Sequence, residues 1–266
     1  MHSNLSPVVF IPHGGGPLPL LGDPDHQALV NFLQECPKTL AKPKAILVIS
    51  AHWETAQATI TSGAHPSLIY DYSGFPPAAY NITYPAPGDP ILADKIMQLL
   101  QHAGISASLD AKRGFDHGLF VPLKIMFPNA DIPCVQLSLL HSLDPAAHIK
   151  IGQALSALRE ENLLIIGSGF SFHNMQAFFA TDREAADAKN AAFQAWLIDT
   201  CCNTALSTTE RQEKLVTWQN APFADYCHPR AEHLLPLHVC AGLANTNAKL
   251  LFNNKVIGKQ ATAFSW

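Results

Sequence analysis

Charge is scarce in this chain. Only 14% of its 266 residues are Asp, Glu, Lys or Arg, and the formal net charge is −4. No basic stripe is present to neutralise phosphates, which argues against a nucleic-acid partner. Long apolar runs are missing as well, so no membrane association is expected. The opening residues lack the charged start, apolar middle and small-residue cleavage site of a secretory leader. The six cysteines fall into no CxxC pair and no zinc-knuckle spacing, and Cys201 and Cys202 are adjacent. Reduced thiols in a cytoplasmic setting are expected from that pattern. Nucleotide-binding loops are absent too, since neither GxGxxG nor GxxxxGK occurs. The stretch "HGGGP" at His13–Pro17 resembles an esterase oxyanion loop, but that reading needs a GxSxG elbow. The nearest sequence, Gly167-Ser168-Gly169, has the wrong spacing.

What is present is apolar residues, at 48%, and thirteen histidines. The runs "PVVFI" (7–11), "KAILVISAH" (44–52), "ISASLD" (105–110), "IPCVQLSLL" (132–140) and "NLLIIGSG" (162–169) predict strands. Runs this uniformly apolar are expected where both faces of a sheet are covered. Helical periodicity covers 91–104, 146–161, 183–206 and 230–244, the last around Pro236. The closing "ATAFSW" reads as an edge strand. The alternation predicts one α/β domain over 1–266, with a central, largely parallel or mixed sheet flanked by helices. The segment from Ser62 to Asp89, dense in proline and aromatics, is too apolar for a linker and reads as a structured loop lying over something.

The histidines follow the strands. His13 and His52 come at two strand exits, and His173 lies just beyond a third; His117 sits in "GFDHG" and His233 in "HPRAEHLLPL", expected in the first turn of a helix. Ligands of open α/β sheets gather at strand ends. Imidazole is the commonest protein ligand for late first-row metals, and a site with open positions suits catalysis by zinc or Fe(II). A metal pocket at the strand ends is therefore expected. Other histidines have plainer explanations. His102 and His148 fall in helical patterns, where a polar face or cap accounts for them, and His238 is off the i+4 spacing from His233 and packs in its own helix. The glycines behind His13 are expected to let the backbone approach a metal-bound substrate.

Five motifs in order carry a resemblance: "HGGGP" at His13, "SAHWE" at Ser50–Glu54, "GFDHG" at Gly114–Gly118, "SGFSFHN" at Ser168–Asn174 and "HPRAEHLLPL" at His228–Leu237. Together with "GFPPAAYNITYPAPGDP" and "ADIPCVQLSL", the chain resembles the LigB-like superfamily of class III extradiol ring-cleavage dioxygenases, in its 4,5-DOPA dioxygenase-like branch. The resemblance implies a non-haem metal above the sheet, held by His13, His52 and His233. It also implies that His173 is an active-site base touching the resting metal, and that His117 orients substrate or helps deliver a proton. Fe(II) is the cofactor implied for activity, with Zn(II) the other ion found in this branch. The implied reaction inserts both atoms of O2 into a catechol and opens the ring outside the diol, giving a muconic semialdehyde-type product. Superfamily members that use two histidines and a glutamate raise the question of Glu232 or His233 as the third ligand. Successive helical residues point about 100° apart, so His233 is preferred and Glu232 becomes its partner or a surface residue.

Further readings stay open at this point. Tyr72, Phe75, Tyr80 and Tyr84 form either a lid or part of the core. Arg230 is either an anchor for a substrate carboxylate or a surface residue, and His228 either lines the pocket rim or simply begins a helix. A zinc protein or zinc hydrolase sharing the fold is the alternative function. A non-enzymatic interaction protein would have these histidines scattered in space.

Overall fold

Apolar residues in unbroken runs need cover on both faces, and the sheet meets that need. The computed structural model describes residues 5–178 and 183–266, which leaves His2 outside. In chain order the elements are β1 (Val8–Pro12), α1 (Gln27–Glu35), β2 (Ala45–Thr55), β3 (Ala58–Thr61), α2 (Pro90–His102), β4 (Ala107–Asp110), α3 (His117–Met126), β5 (Cys134–Leu140) and α4 (Pro145–Ala154). They continue as β6 (Leu163–Gly169), α5 (Met175–Phe178), α6 (Arg183–Cys202), α7 (Thr208–Val216), α8 (Ala224–Cys227), α9 (Leu235–Ala244), β7 (Lys249–Val256) and β8 (Lys259–Ser265).

The strands form one mixed eight-stranded sheet in the order β4-β3-β5-β2-β6-β1-β8-β7. Its centre, β5-β2-β6-β1, is parallel, with antiparallel joins to β3 on one side and β8 on the other. Alternate residues of the central strands feed two cores. Ile46, Val48, Leu164 and Ile166 face α1, α3 and α6. Leu47, Ile49, Leu163 and Ile165 face α2, α4 and α9. Among the described residues no helix is long and apolar enough to cross a membrane.

Four local expectations are corrected. The closing residues are not at the edge: β8 pairs with both β1 and β7, so β7 is the edge strand. The helix expected over 146–161 stops at Ala154, and Ser156–Glu160 tightens into a 3-10 turn that buries Leu158 before the chain enters β6. The last helix begins only at Leu235, with Pro236 in its first turn, where the missing N–H costs nothing; His233 therefore precedes the helix. His52 lies inside β2 rather than beyond it, at a register slip between Ile49 and Glu54 in the pairing with β5. A bulge of this kind re-aims side chains. The 62–89 segment is a structured loop as expected, with a 3-10 turn at Pro77–Asn81.

Candidate active site

Three neighbouring parallel strands, β2, β6 and β1, end on the same side of the sheet, and their ends supply the site. His13 leaves β1, His52 sits at the slip in β2, and β6 leads into His173. His233 arrives from the segment before α9. Its carbonyl oxygen accepts the Phe170 N–H at 2.9 Å, and a Cβ on Gly169 would lie 2.1 Å from that oxygen. Only glycine at the end of β6 lets His233 come so close. His117 opens α3, its backbone N–H donating to Asp71 Oδ1 at 3.1 Å.

One ring nitrogen of each of His13, His52 and His233 falls in a group whose atoms all lie within 4.8 Å of one another. The Nε2 atoms of His13 and His52 are 3.0 Å apart. Overlapping groups of the same kind are formed by His173, Glu232 and His233, and by His52, Asp71 and His117. The predicted histidines thus share one place, with His117 against His52 (ring centroids 3.9 Å) and His173 stacked on His233 (3.4 Å).

The outer ring nitrogens decide which nitrogen faces inward. The Ser168 hydroxyl donates to the Gly118 carbonyl oxygen, so its lone pair is left for the His13 Nδ1 proton at 3.2 Å. His117 Nδ1 donates to Asp71 Oδ1 at 2.8 Å. Glu232 Oε1 accepts from His233 Nδ1 at 2.9 Å and lies 3.2 Å from His173 Nδ1. In His13, His117, His173 and His233 this leaves Nε2 as the lone-pair nitrogen. His52 is held differently: its backbone N–H donates to Ser50 Oγ at 3.1 Å, and Ser50 donates to the buried Asp116 at 2.8 Å. Gln136 and Arg113 also bond Asp116, and Arg113 lies over the Trp53 ring.

Electrostatics favours neutral imidazoles here. Burial, followed by repulsion from the other histidines, holds His13 and His52 well below the ordinary imidazole value. Burial also takes His233 down to about 4, against the Glu232 hydrogen bond that raises it. Burial opposes ionisation of Glu232, but hydrogen bonds from His173 and His233 outweigh it and hold the carboxyl well below its usual range. Neutral imidazoles with inward lone pairs, backed by carboxylates, are the protonation states that a divalent metal requires.

The five histidines open onto a cavity of about 430 Å³ that is also lined by Gly14–Gly16, Tyr72 and Phe75. Gly14 and Gly16 take φ of +86° and +55°, and the Gly15 N–H donates to His26 Nε2 at 2.9 Å. The glycine run is therefore cavity wall. The aromatic set splits: Tyr72 and Phe75 line the cavity, the exposed Tyr80 packs against Tyr72, and Tyr84 is buried in the core. His228 is also core, lying between Phe193 and Trp218 with Nε2 donating to the Ser171 carbonyl oxygen at 2.9 Å. Glu232 is no surface residue. Arg230 clamps Glu54 through two hydrogen bonds of 2.6 Å. Sequence reasoning missed Asp71, Ser168, Ser50 and Asp116 as site residues; Ser50, Asp116 and Ser168 lay inside quoted motifs beside flagged histidines, but nothing in those motifs assigned them a partner.

A family profile described as the catalytic LigB subunit of aromatic ring-opening dioxygenase matches residues 6–265. The chain is 42% identical to dioxygenase tasH of Hapsidospora irregularis, over 98% of this chain and 86% of the relative. It is 41% identical to the 4,5-DOPA dioxygenase extradiol of Beta vulgaris, over 92% of this chain and 90% of that one. The corresponding Escherichia coli protein of that name is 35% identical over 89% and 84%. Among solved structures, an uncharacterized Escherichia coli K12 protein superposes with a TM-score of 0.78 at 30% identity, covering 98% of this chain and 99% of that one.

Proposed function

We propose that this chain, which belongs to the LigB family of aromatic ring-opening dioxygenases, opens a catechol beside its diol at a ferrous ion held by His13, His52 and His233. Ring-opening dioxygenase activity comes with the family. The ion, its ligands, the roles of the other histidines and the diol are our reading, and relatives named 4,5-DOPA dioxygenase extradiol support a catechol. The observation that carries it is the meeting of three imidazole nitrogens within 4.8 Å, those of the buried His13 and His233 and the half-buried His52, with Ser168 behind His13 and Glu232 behind His233. When bound, the ion would supply a coordination sphere for both diol oxygens and dioxygen, and electron density toward the latter.

The remaining steps fall to side chains. Adding O2 across a catechol changes no proton count, so a proton taken from a hydroxyl must be returned. His173, stacked on His233, offers Nε2 to take that proton while Glu232 holds its Nδ1–H. His117 stands on the other flank, and Asp71 fixes its ring so that Nε2 faces the substrate oxygen. Although burial opposes it, the His117 hydrogen bond holds the Asp71 carboxyl below its usual value, which keeps the acceptor ionised. The apolar wall opposite the histidines keeps water from the opened ring. The free cysteines fit a reducing, cytoplasmic setting.

Anaerobic loading with Fe(II), followed by oxygen uptake on a catechol panel, tests the reading. We expect one O2 consumed per diol and a yellow ring-opened product. Alanine at His13, His52 or His233 should abolish iron retention, whereas His173→Ala should retain iron and lose about 10²-fold or more in kcat. Stoichiometric zinc that iron cannot replace, with no diol consumed, would favour the zinc protein instead.

A further inference from the structure

The cavity is chemically lopsided. One end carries the five histidines; the other is walled by Leu18, Tyr72, Phe75, Phe170, Phe178 and Ile257. The Tyr72 hydroxyl is already committed to the Ala79 carbonyl oxygen at 2.7 Å. No lysine or arginine is among the described residues that line this space. Arg230, the cation nearest in sequence to His233, lines a second depression on the far side of His52 and His233 from the apolar wall and is clamped on Glu54. A carboxylate or ammonium carried on the substrate would find no partner among the described residues at this end, and an unpaired buried charge is costly.

Ile257 reaches this wall from an improbable position. It forms with Gly258 the two-residue turn between β7 and β8, whose flanking residues Val256 and Lys259 are paired. Both turn residues have positive φ, +51° and +73°. That geometry favours Asn or Gly in the first position, and a β-branched residue there is strained. The strained residue nevertheless faces the glycine loop: a Cβ on Gly15 would meet Ile257 Cδ1 at 2.8 Å. Its N–H donates to the Asp25 carbonyl oxygen at 3.2 Å, tying the hairpin tip to the segment behind that loop. Strain retained at a cavity wall points to a use for the side chain.

We propose that this cavity selects catechols whose ring carries an uncharged, apolar substituent, and that Ile257 is a specificity-determining residue contacting that substituent. The inference rests on the ring-opening reading and narrows its substrate class. It sets this chain apart from relatives whose printed name specifies DOPA, an amino acid. Burial of each methylene of an alkyl tail is worth about fourfold in affinity, and an unpaired carboxylate works against binding.

The test compares catechol, 4-butylcatechol, DOPA and protocatechuate in two assays. Turnover is measured on iron-loaded protein and binding on zinc-substituted protein by calorimetry. We expect 4-butylcatechol to exceed DOPA and protocatechuate by about tenfold or more in both assays. Equal or better kcat/KM for DOPA or protocatechuate overturns the inference and leaves ring opening intact. If no diol is consumed but zinc-substituted protein still ranks 4-butylcatechol first, the ring-opening reading fails while the cavity's selectivity stands. No ranking in either assay removes the inference. In Ile257→Asn, the 4-butylcatechol to catechol ratio of kcat/KM should fall about fivefold or more, while the melting temperature stays level or rises as the turn relaxes. An unchanged ratio in a folded variant would remove Ile257 from its role.

Discussion

Glu232 works on two histidines at once. A single oxygen, Oε1, accepts from His233 Nδ1 and faces His173 Nδ1, while Oε2 is buried 3.3 Å from Arg230 Nη1. In Glu232→Gln one orientation sets the amide NH2 against the Arg230 guanidinium, and the other sets it against both imidazole donors. Either removes the charge that supports the imidazoles from behind. The expected result is a 10–100-fold loss in iron affinity, read by competition with a chelator, together with a fall in kcat. Iron affinity within a factor of about two of the parent would contradict the arrangement. At this scale the sequence is uneven. His13, His52 and His173 can be found because each comes after an apolar run in the sequence, and such runs are legible without the structure. Asp71 and Ser168 cannot be found so. Each is one polar residue whose importance depends on a partner 46 or 155 positions away, and no local pattern encodes that separation.

Helix packing against the sheet shows what an element requires beyond its periodicity. Helices α4 and α9 cross so closely that a Cβ on Gly152 would lie 2.1 Å from the Val239 carbonyl oxygen, and one on Gly242 would lie 2.2 Å from that of Ile149. The two glycines are reciprocal, each seating the other helix's backbone. Gly152→Ala or Gly242→Ala forces backbone apart, and overpacking of this kind costs roughly 1–3 kcal/mol or more. For a chain of this size the melting temperature should fall by at least about 2–10 °C, while purified folded protein keeps its iron content. An unchanged melting temperature would mean that the helices slide freely. The strands β1, β2, β5 and β6 were readable because they are apolar on both faces. The short β3, the polar edge strand β7 (only Phe252 and Val256 buried), and α3, which contains Pro122, were not. Their residues satisfy tertiary neighbours rather than a local preference, and the bulge that places His52 within β2 arises from pairing with β5.

Across the whole molecule, histidine has two employments, and burial makes both sensitive to acid. One set lines the cavity. A second set is built into the structure as neutral rings: His148 donates from Nδ1 to the Asp144 carbonyl oxygen at 2.7 Å and accepts the Leu140 N–H on Nε2 at 3.1 Å. Protonating Nε2 would set two donors against each other. Burial lowers His148 below the ordinary imidazole value and takes His228, which donates only from Nε2, down to about 3. The sign follows from which state binds the proton. Above the unfolded value of about 6.5 both states are neutral and these rings leave stability independent of pH. Below it the unfolded chain takes up protons that the folded chain refuses. Stability therefore drops as pH falls from about 6.5 toward the folded values, by roughly 1.4 kcal/mol per unit for each such ring. At pH 5 a ring like His228 costs about 2 kcal/mol. Urea midpoints of chelator-treated protein should be clearly lower at pH 5 than at pH 7.5. His148→Gln, whose amide can both donate and accept, should flatten that slope while lowering the neutral-pH midpoint only modestly. Equal midpoints at the two pH values would mean that the buried rings are already protonated in the fold, contrary to the hydrogen bond that His148 accepts.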